Sequence, residues 1–155
     1  MEVMCVKVFR SIDEFAAAEG TSLGPTDWLT IDQDRVNKFA DATGDHQWIH
    51  VDPERAAQGP FGTAIAHGLL TLSLTPVLAH DLYTVEGVKM AVNYGYNKVR
   101  FVSPVPVGSK IRASAVVGPV TVVPGGVQGQ LTTTIEIEGS DKPACVVESI
   151  VRYYS

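Results

Sequence analysis

Three runs in the second half of this chain alternate apolar and polar side chains with a period of two. Ile111, Ala113, Ala115 and Val117 alternate with Lys110, Arg112, Ser114 and Val116. Leu131, Thr133, Ile135 and Ile137 alternate with Gln130, Thr132, Thr134 and Glu136. Cys145, Val147 and Val151 stand opposite Val146, Glu148 and Arg152. Successive side chains of a strand point to opposite faces, so each run predicts a strand buried on one side. Gly108-Ser109, Pro124-Gly125-Gly126 and Gly139-Ser140-Asp141 supply turns between consecutive, hence antiparallel, strands.

The apolar face of such a sheet has to be covered. Ahead of the strands lies an apolar segment beginning near Ala66, in which Leu69, Leu70, Leu72, Leu74, Val77 and Leu78 surround a helical axis. A helix that is apolar nearly all round is enclosed by the rest of its domain, and Pro76 should bend or shorten it. The wider stretch Ala64–Ala79 is too short, and too interrupted by His67, Gly68, Thr71 and Ser73, to span a bilayer.

The first third reads as helical. Ser11-Ile12-Asp13-Glu14 is a capping box opening a helix through Ala18 that Gly20 ends. A second helix starts near Asp32, carries Val36, Phe39 and Ala40 on one stripe, and stops at Gly44. Asp52-Pro53-Glu54-Arg55 opens a short third, and Gly59-Pro60-Phe61-Gly62 is a turn. Helices, then one buried helix, then antiparallel strands is an α+β order: a single domain over 1–155, one sheet wrapped around one long helix.

Charge is uneven. Residues 1–86 carry 13 acidic and 5 basic side chains, whereas residues 87–135 carry Lys89, Lys98, Arg100, Lys110 and Arg112 and no acid. The net charge of −5 argues against nucleic acid as partner. The basic block suits a phosphorylated ligand, or pairs with acids of the first half. Two cysteines far apart and no leading apolar run predict a protein of the reducing cytoplasm.

Gly44-Asp45-His46-Gln47-Trp48-Ile49-His50 puts a carboxylate five residues before an imidazole. Five residues leave two side chains well apart on a helix and on opposite faces of a strand, so only an irregular loop lets Asp45 and His50 share one water. Such a pair is equipped for general acid–base chemistry. Equally, Asp45 could cap loop amides and His50 could be a core histidine satisfied by a carbonyl. His67-Gly68 stands at the start of the buried helix, where amides lack helical partners. A ligand carbonyl could be polarised at the Gly68 amide, or the glycine could serve close packing. His46 and His50 stand four apart, but the glutamate that a helical zinc motif needs after the first histidine is Gln47 here, so no metal is expected.

Phe39-Ala40-Asp41-Ala42-Thr43-Gly44-Asp45-His46-Gln47-Trp48-Ile49-His50-Val51-Asp52, with Gly59-Pro60-Phe61-Gly62, Ile65-Ala66-His67-Gly68 and Asn93–Phe101, resembles the (R)-specific enoyl-CoA hydratases of the MaoC-like group, most of all their short nodulation-protein-N-like branch. The resemblance implies a hot-dog fold, a curved antiparallel sheet around a central helix, in a homodimer with sites near the interface. It implies Asp45 and His50 as the catalytic pair and the thioester oxygen bound at Gly68, beside His67. It implies reversible hydration of a trans-2-enoyl-CoA to the (R)-3-hydroxyacyl-CoA, with coenzyme A carried by the substrate and no separate cofactor. Lys98 and Arg100 are candidates for the coenzyme A phosphates. Gln47 and Trp48 stand where the commoner loop has asparagine and proline, and Ala64 where proline is common. Rival expectations are a thioesterase on the same fold and a non-catalytic acyl-CoA-binding scaffold.

Overall fold

The computed structural model describes residues 5–155. In chain order the elements are β1 (Lys7–Phe9), α1 (Ile12–Ala16), β2 (Ser22–Leu23), β3 (Leu29–Thr30), α2 (Gln33–Thr43), α3 (Trp48–Val51), α4 (Pro53–Ala57), α5 (Gly68–Ser73), α6 (Thr75–Leu82), β4 (Tyr83–Val85), β5 (Met90–Phe101), β6 (Lys110–Val123), β7 (Gly126–Ile137) and β8 (Cys145–Tyr154).

The main sheet runs β2-β6-β7-β8-β5, with β3 also paired to β6. The four long strands are antiparallel to their neighbours, with Ala113 opposite Ile135 and Thr133 opposite Val147. The period of two is kept throughout β7, where Val127, Gly129, Leu131, Thr133, Ile135 and Ile137 all face inward. Those side chains meet Leu70, Leu74, Leu78 and Leu82 of the α5–α6 helix in one core. This is the hot-dog arrangement, with the helix seated in the sheet's concave face. The first long strand after the helix, β5, forms one edge.

Local chemistry sets the helix ends. Ser11 accepts from the Glu14 amide, and Glu14 reaches back one residue further than a standard box, to the Arg10 amide. The first helix is shorter than expected and ends at Ala16. Asp32 caps α2 through the Arg35 amide, and Gly44 closes it in the left-handed region at φ 81°. Asp52 caps α4, with Pro53 in the first turn. Pro76 divides the buried helix: α5 ends at Ser73, and α6 begins at Thr75 after a break at Leu74.

Three expectations are corrected. The first third is not wholly helical: β1 pairs in parallel with β4, and β2 and β3 add to the edge of β6. The buried helix is not enclosed on every side, since Leu69 is 59% and Val77 49% exposed. The basic block is less tied to acids of the first half than expected: Arg112 meets Glu136 of the second half at 2.6 Å, and Lys98 and Arg100 form no ion pair among the described residues.

No helix among the described residues is long and apolar enough to cross a membrane. Both cysteines are free, Cys5 exposed and Cys145 buried, and burial pushes the Cys145 thiol up to about 11. At pH 8 only about one Cys145 thiol in a thousand is then ionised, and the thiolate is the reactive form. A thiol reagent should therefore modify one cysteine per folded chain, Cys5, and the second only on unfolding. Two fast-reacting thiols counted against native protein would contradict this packing.

Candidate active site

Asp45 lies in the turn after α2, His50 on α3, and His67 immediately before α5. The segment carrying His50 is not irregular throughout, as the sequence suggested. Gly44–Gln47 is loop, and Trp48–Val51 then makes one helical turn. Its placement follows from ties to neighbouring elements. Gln33 of α2 donates to the His50 carbonyl at 2.8 Å, and the Ile65 amide donates to the Ile49 carbonyl at 3.0 Å. Trp48 packs so closely over Gly59 that a Cβ there would lie 2.8 Å from the indole, and Arg55 covers the same ring. Tryptophan in this loop is thus accommodated by the glycine of the Gly59–Gly62 turn.

One ligand-capable atom from each of Asp45, His50 and His67 lies within 4.8 Å of the others. Two groups that far apart can be bridged by one water making hydrogen bonds of about 2.8 Å to each. Both bland roles are filled as well. The Asp45 carboxylate accepts from the Gln47 amide at 3.3 Å, and His50 Nδ1 donates to the Ile65 carbonyl at 2.7 Å.

The second bond determines what His50 can do. A carbonyl only accepts, so Nδ1 carries the proton, and the neutral ring presents the lone pair at Nε2. His67 is fixed by the same logic: Nε2 donates to the Asp45 backbone carbonyl at 3.0 Å, and its ring stacks on His50 at 3.9 Å between centroids. Nδ1 of His67 is buried without a protein partner. His67 therefore positions Asp45 through the main chain and supports the face of His50. Nothing in the local sequence signalled this contact, which joins residues 22 apart.

Asp45, His50 and His67 could each offer one ligand atom to a cation, but the stacked rings are unlike the converging imidazoles of a tetrahedral zinc site. Their planes lie 24° from parallel with centroids 3.9 Å apart. His46 turns away altogether. It bonds Asp41 at 2.9 Å, and that hydrogen bond raises its pKa above the ordinary histidine value.

Gly68 is the first residue of α5, so its amide has no carbonyl within the helix to meet. The Phe101 ring lies against it, and a Cβ at this position would come within 3.1 Å of that ring. Close packing and a free amide coexist here, because only a glycine lets the strand end approach this near. His50 and His67 are 7% and 3% exposed, whereas Asp45 is exposed, so the group opens to the surface on the Asp45 side. Lys98 and Arg100 sit on the edge strand, both exposed, Arg100 next to the Phe101 that covers Gly68.

Comparison with known proteins places this arrangement. A model described as "MaoC like domain" matches residues 14–138. The 3-hydroxyacyl-thioester dehydratase Z of Mycobacterium tuberculosis is 63% identical over 149 residues, 96% of this chain and 99% of that protein. Nodulation protein N of Rhizobium meliloti is 43% identical, over 86% of this chain and 85% of its own length. Among solved structures, the (R)-hydratase from A. caviae involved in PHA biosynthesis superposes with a TM-score of 0.68 at 26% identity, covering 86% of this chain and 94% of that one. Fold, matched residues and near-complete coverage agree, and the chain belongs to the MaoC-like domain family.

Proposed function

We propose that this protein is a hydratase of enoyl thioesters, adding water reversibly and syn to a trans-2-enoyl-CoA to give the (R)-3-hydroxyacyl-CoA. The observation that carries the reading is the approach of the Asp45 carboxylate to His50 beside the unpartnered start of α5. In the hydration direction the thioester oxygen lies at the Gly68 amide, and water sits between Asp45 and His50 Nε2. The water oxygen bonds to C3 as His50 takes its proton, the C2–C3 π pair moves toward C2 and the thioester oxygen, and the Gly68 amide and helix start stabilise the charge that develops. The proton held by His50 then passes to C2 on the same face, leaving one water added. Asp45 orients the water through its second hydrogen. These groups suffice without a metal or a separate cofactor. The dehydratase name of the 63% identical relative describes the same reaction in reverse.

A second copy of the chain completes the site in this reading. Among the described residues edge strand β5 has no pairing partner on its outer side, and Met90, Tyr94, Tyr96 and Phe101 on it are exposed, as are Leu69 and Val77 on the helix. A long apolar edge beside an apolar helix face is a surface that natural proteins cover. A two-fold axis across β5 would cover both together and wall the opening at Asp45. Lys98 and Arg100, on that edge, would meet the coenzyme A phosphates. Two free cysteines suit a cytoplasmic setting.

The test is to incubate the protein with crotonyl-CoA and follow enoyl absorbance and free thiol separately. Loss of absorbance without thiol is the expected result. Thiol release would make the protein a thioesterase, and binding with neither change would make it a scaffold.

A further inference from the structure

The turn that carries Asp45 holds itself weakly. Among the described residues the exposed Asp45 carboxylate accepts only from the Gln47 amide, at 3.3 Å, which is long for such a bond. The Asp45 amide meets only the Thr43 hydroxyl, at 3.4 Å. Gly44, just before it, sits at φ 81°, and a Cβ built there would find nothing within 4 Å. A glycine in open space fixes nothing by packing. These contacts alone leave the turn free to swing, whereas a displacement of about 1 Å at a reacting group can cost on the order of a hundredfold in rate.

Two firmer ties reach the turn. From one side His67 Nε2 donates to the Asp45 carbonyl at 3.0 Å, out of a buried ring stacked on His50. From the other, His46 Nε2 donates to Asp41 Oδ1 at 2.9 Å. The Asp45 carbonyl and the His46 amide belong to one peptide unit. One tie therefore grips that unit at its oxygen, and the other grips the side chain of the residue that follows. The His46 tie also bridges the glycine, fastening the turn back onto the last turn of α2. That helix is a firm anchor: Asp32 caps its start, and Val36 and Ala40 are wholly buried. Its first residue, Gln33, donates to the His50 carbonyl at 2.8 Å. One helix thus holds both segments of the candidate site, the His50 turn through Gln33 and the Asp45 turn through Asp41 and His46. The Asp41–His46 pair is exposed, 77% and 53% by side chain, so it adds little to global stability. Its effect is on where the turn sits.

We propose that the Asp41–His46 hydrogen bond is a staple that holds the Asp45 carboxylate at its working distance from His50, which makes His46 a positioning residue for the hydration step. The proposal rests on the enoyl-thioester reading above. His46→Leu should lower kcat on crotonyl-CoA by roughly three- to tenfold, with KM and the thermal melt near wild type. Asp41→Leu should do the same, and the double variant should be no slower than either single one, because both remove the same bond. His46→Gln, whose amide can still donate to Asp41, should keep most of the rate. A second measurement is independent of turnover. The amide order parameters of Asp45 and Gln47 should lie near the rigid-backbone value of about 0.85 in wild-type protein and fall toward about 0.6 in His46→Leu. Wild-type kcat in His46→Leu, additive losses in the double variant, or an equal loss in His46→Gln would overturn the positioning role. Order parameters that do not change would overturn the staple itself. A wild-type protein without activity on crotonyl-CoA would instead remove the hydratase reading, and the order parameters would still decide whether the staple holds the turn.

Discussion

Replacing His50 with glutamine should lower the rate of crotonyl-CoA hydration by about 10²–10⁴-fold while the protein stays folded. Glutamine is close in size and keeps an N–H for the Ile65 carbonyl that now holds Nδ1 at 2.7 Å. What it lacks is a basic nitrogen at the position of Nε2, so the loss should fall on kcat more than on KM. Asp45→Asn makes the complementary test. Its side-chain oxygen can still accept from the Gln47 amide, so the turn survives, and only the negative charge facing the water is removed. Both rates are read against a thermal melt of each variant. If His50→Gln hydrates at the wild-type rate, another group takes the proton from water. His67 would then be the next to examine, since its Nδ1 is buried beside His50 without a partner.

Much of the fold around the candidate site was legible in the sequence, and the reasons are local. Asp32, Gly44, Asp52 and Pro53 act within one helical turn, so their caps and stops could be read from neighbours in sequence. The strands from Lys110 onward are ten or more residues long, enough for a period of two to stand out. Strands β1 to β4 are two or three residues long and carry no period at all. The β1–β4 pair also joins Lys7 to Tyr83, a contact no local pattern announces. The third helical turn of the region, α3, was hidden because Gly44 before it and Pro53 after it suggest loop on both sides. His67 illustrates the same limit in the site. Its type and its place before a glycine pointed to the substrate oxygen, whereas its ring is taken up by the Asp45 carbonyl and by stacking on His50. In the proposed reading the thioester oxygen is therefore met by the Gly68 amide.

The helix between His67 and Tyr83 carries a different lesson. Apolar residues all round its axis predicted burial on every side, and a single chain buries only part of it. Hydrophobic pattern reports what is covered in the working assembly, and that can include another molecule. The mismatch at Leu69 and Val77 therefore bears on the proposed function as well as on fold, because these residues belong to the helix whose first amide is the proposed contact for the thioester oxygen.

Placing glutamate at both Leu69 and Val77 should convert a dimer into monomers and reduce hydration at least tenfold. The two side chains are exposed in the single chain, so charging them should leave its core and melting behaviour near wild type. Within a two-fold interface each substitution appears twice, which puts four carboxylates on one apolar patch. Truncating or charging a central interface residue costs about 2 kcal/mol or more, and each 1.4 kcal/mol weakens association tenfold. The combined change should thus weaken the dimer by three orders of magnitude or more, read as a fall from twice 16.6 kDa to a single 16.6 kDa chain in sedimentation at micromolar concentration. Activity should fall with it, because Asp45 is exposed in the isolated chain, and a water-filled opening weakens the electrostatic hold on the developing enolate. A variant that sediments as a monomer and still hydrates crotonyl-CoA at the wild-type rate would show that one chain encloses its own site. A wild-type protein that is monomeric from the outset would leave the apolar edge of β5 to a different partner.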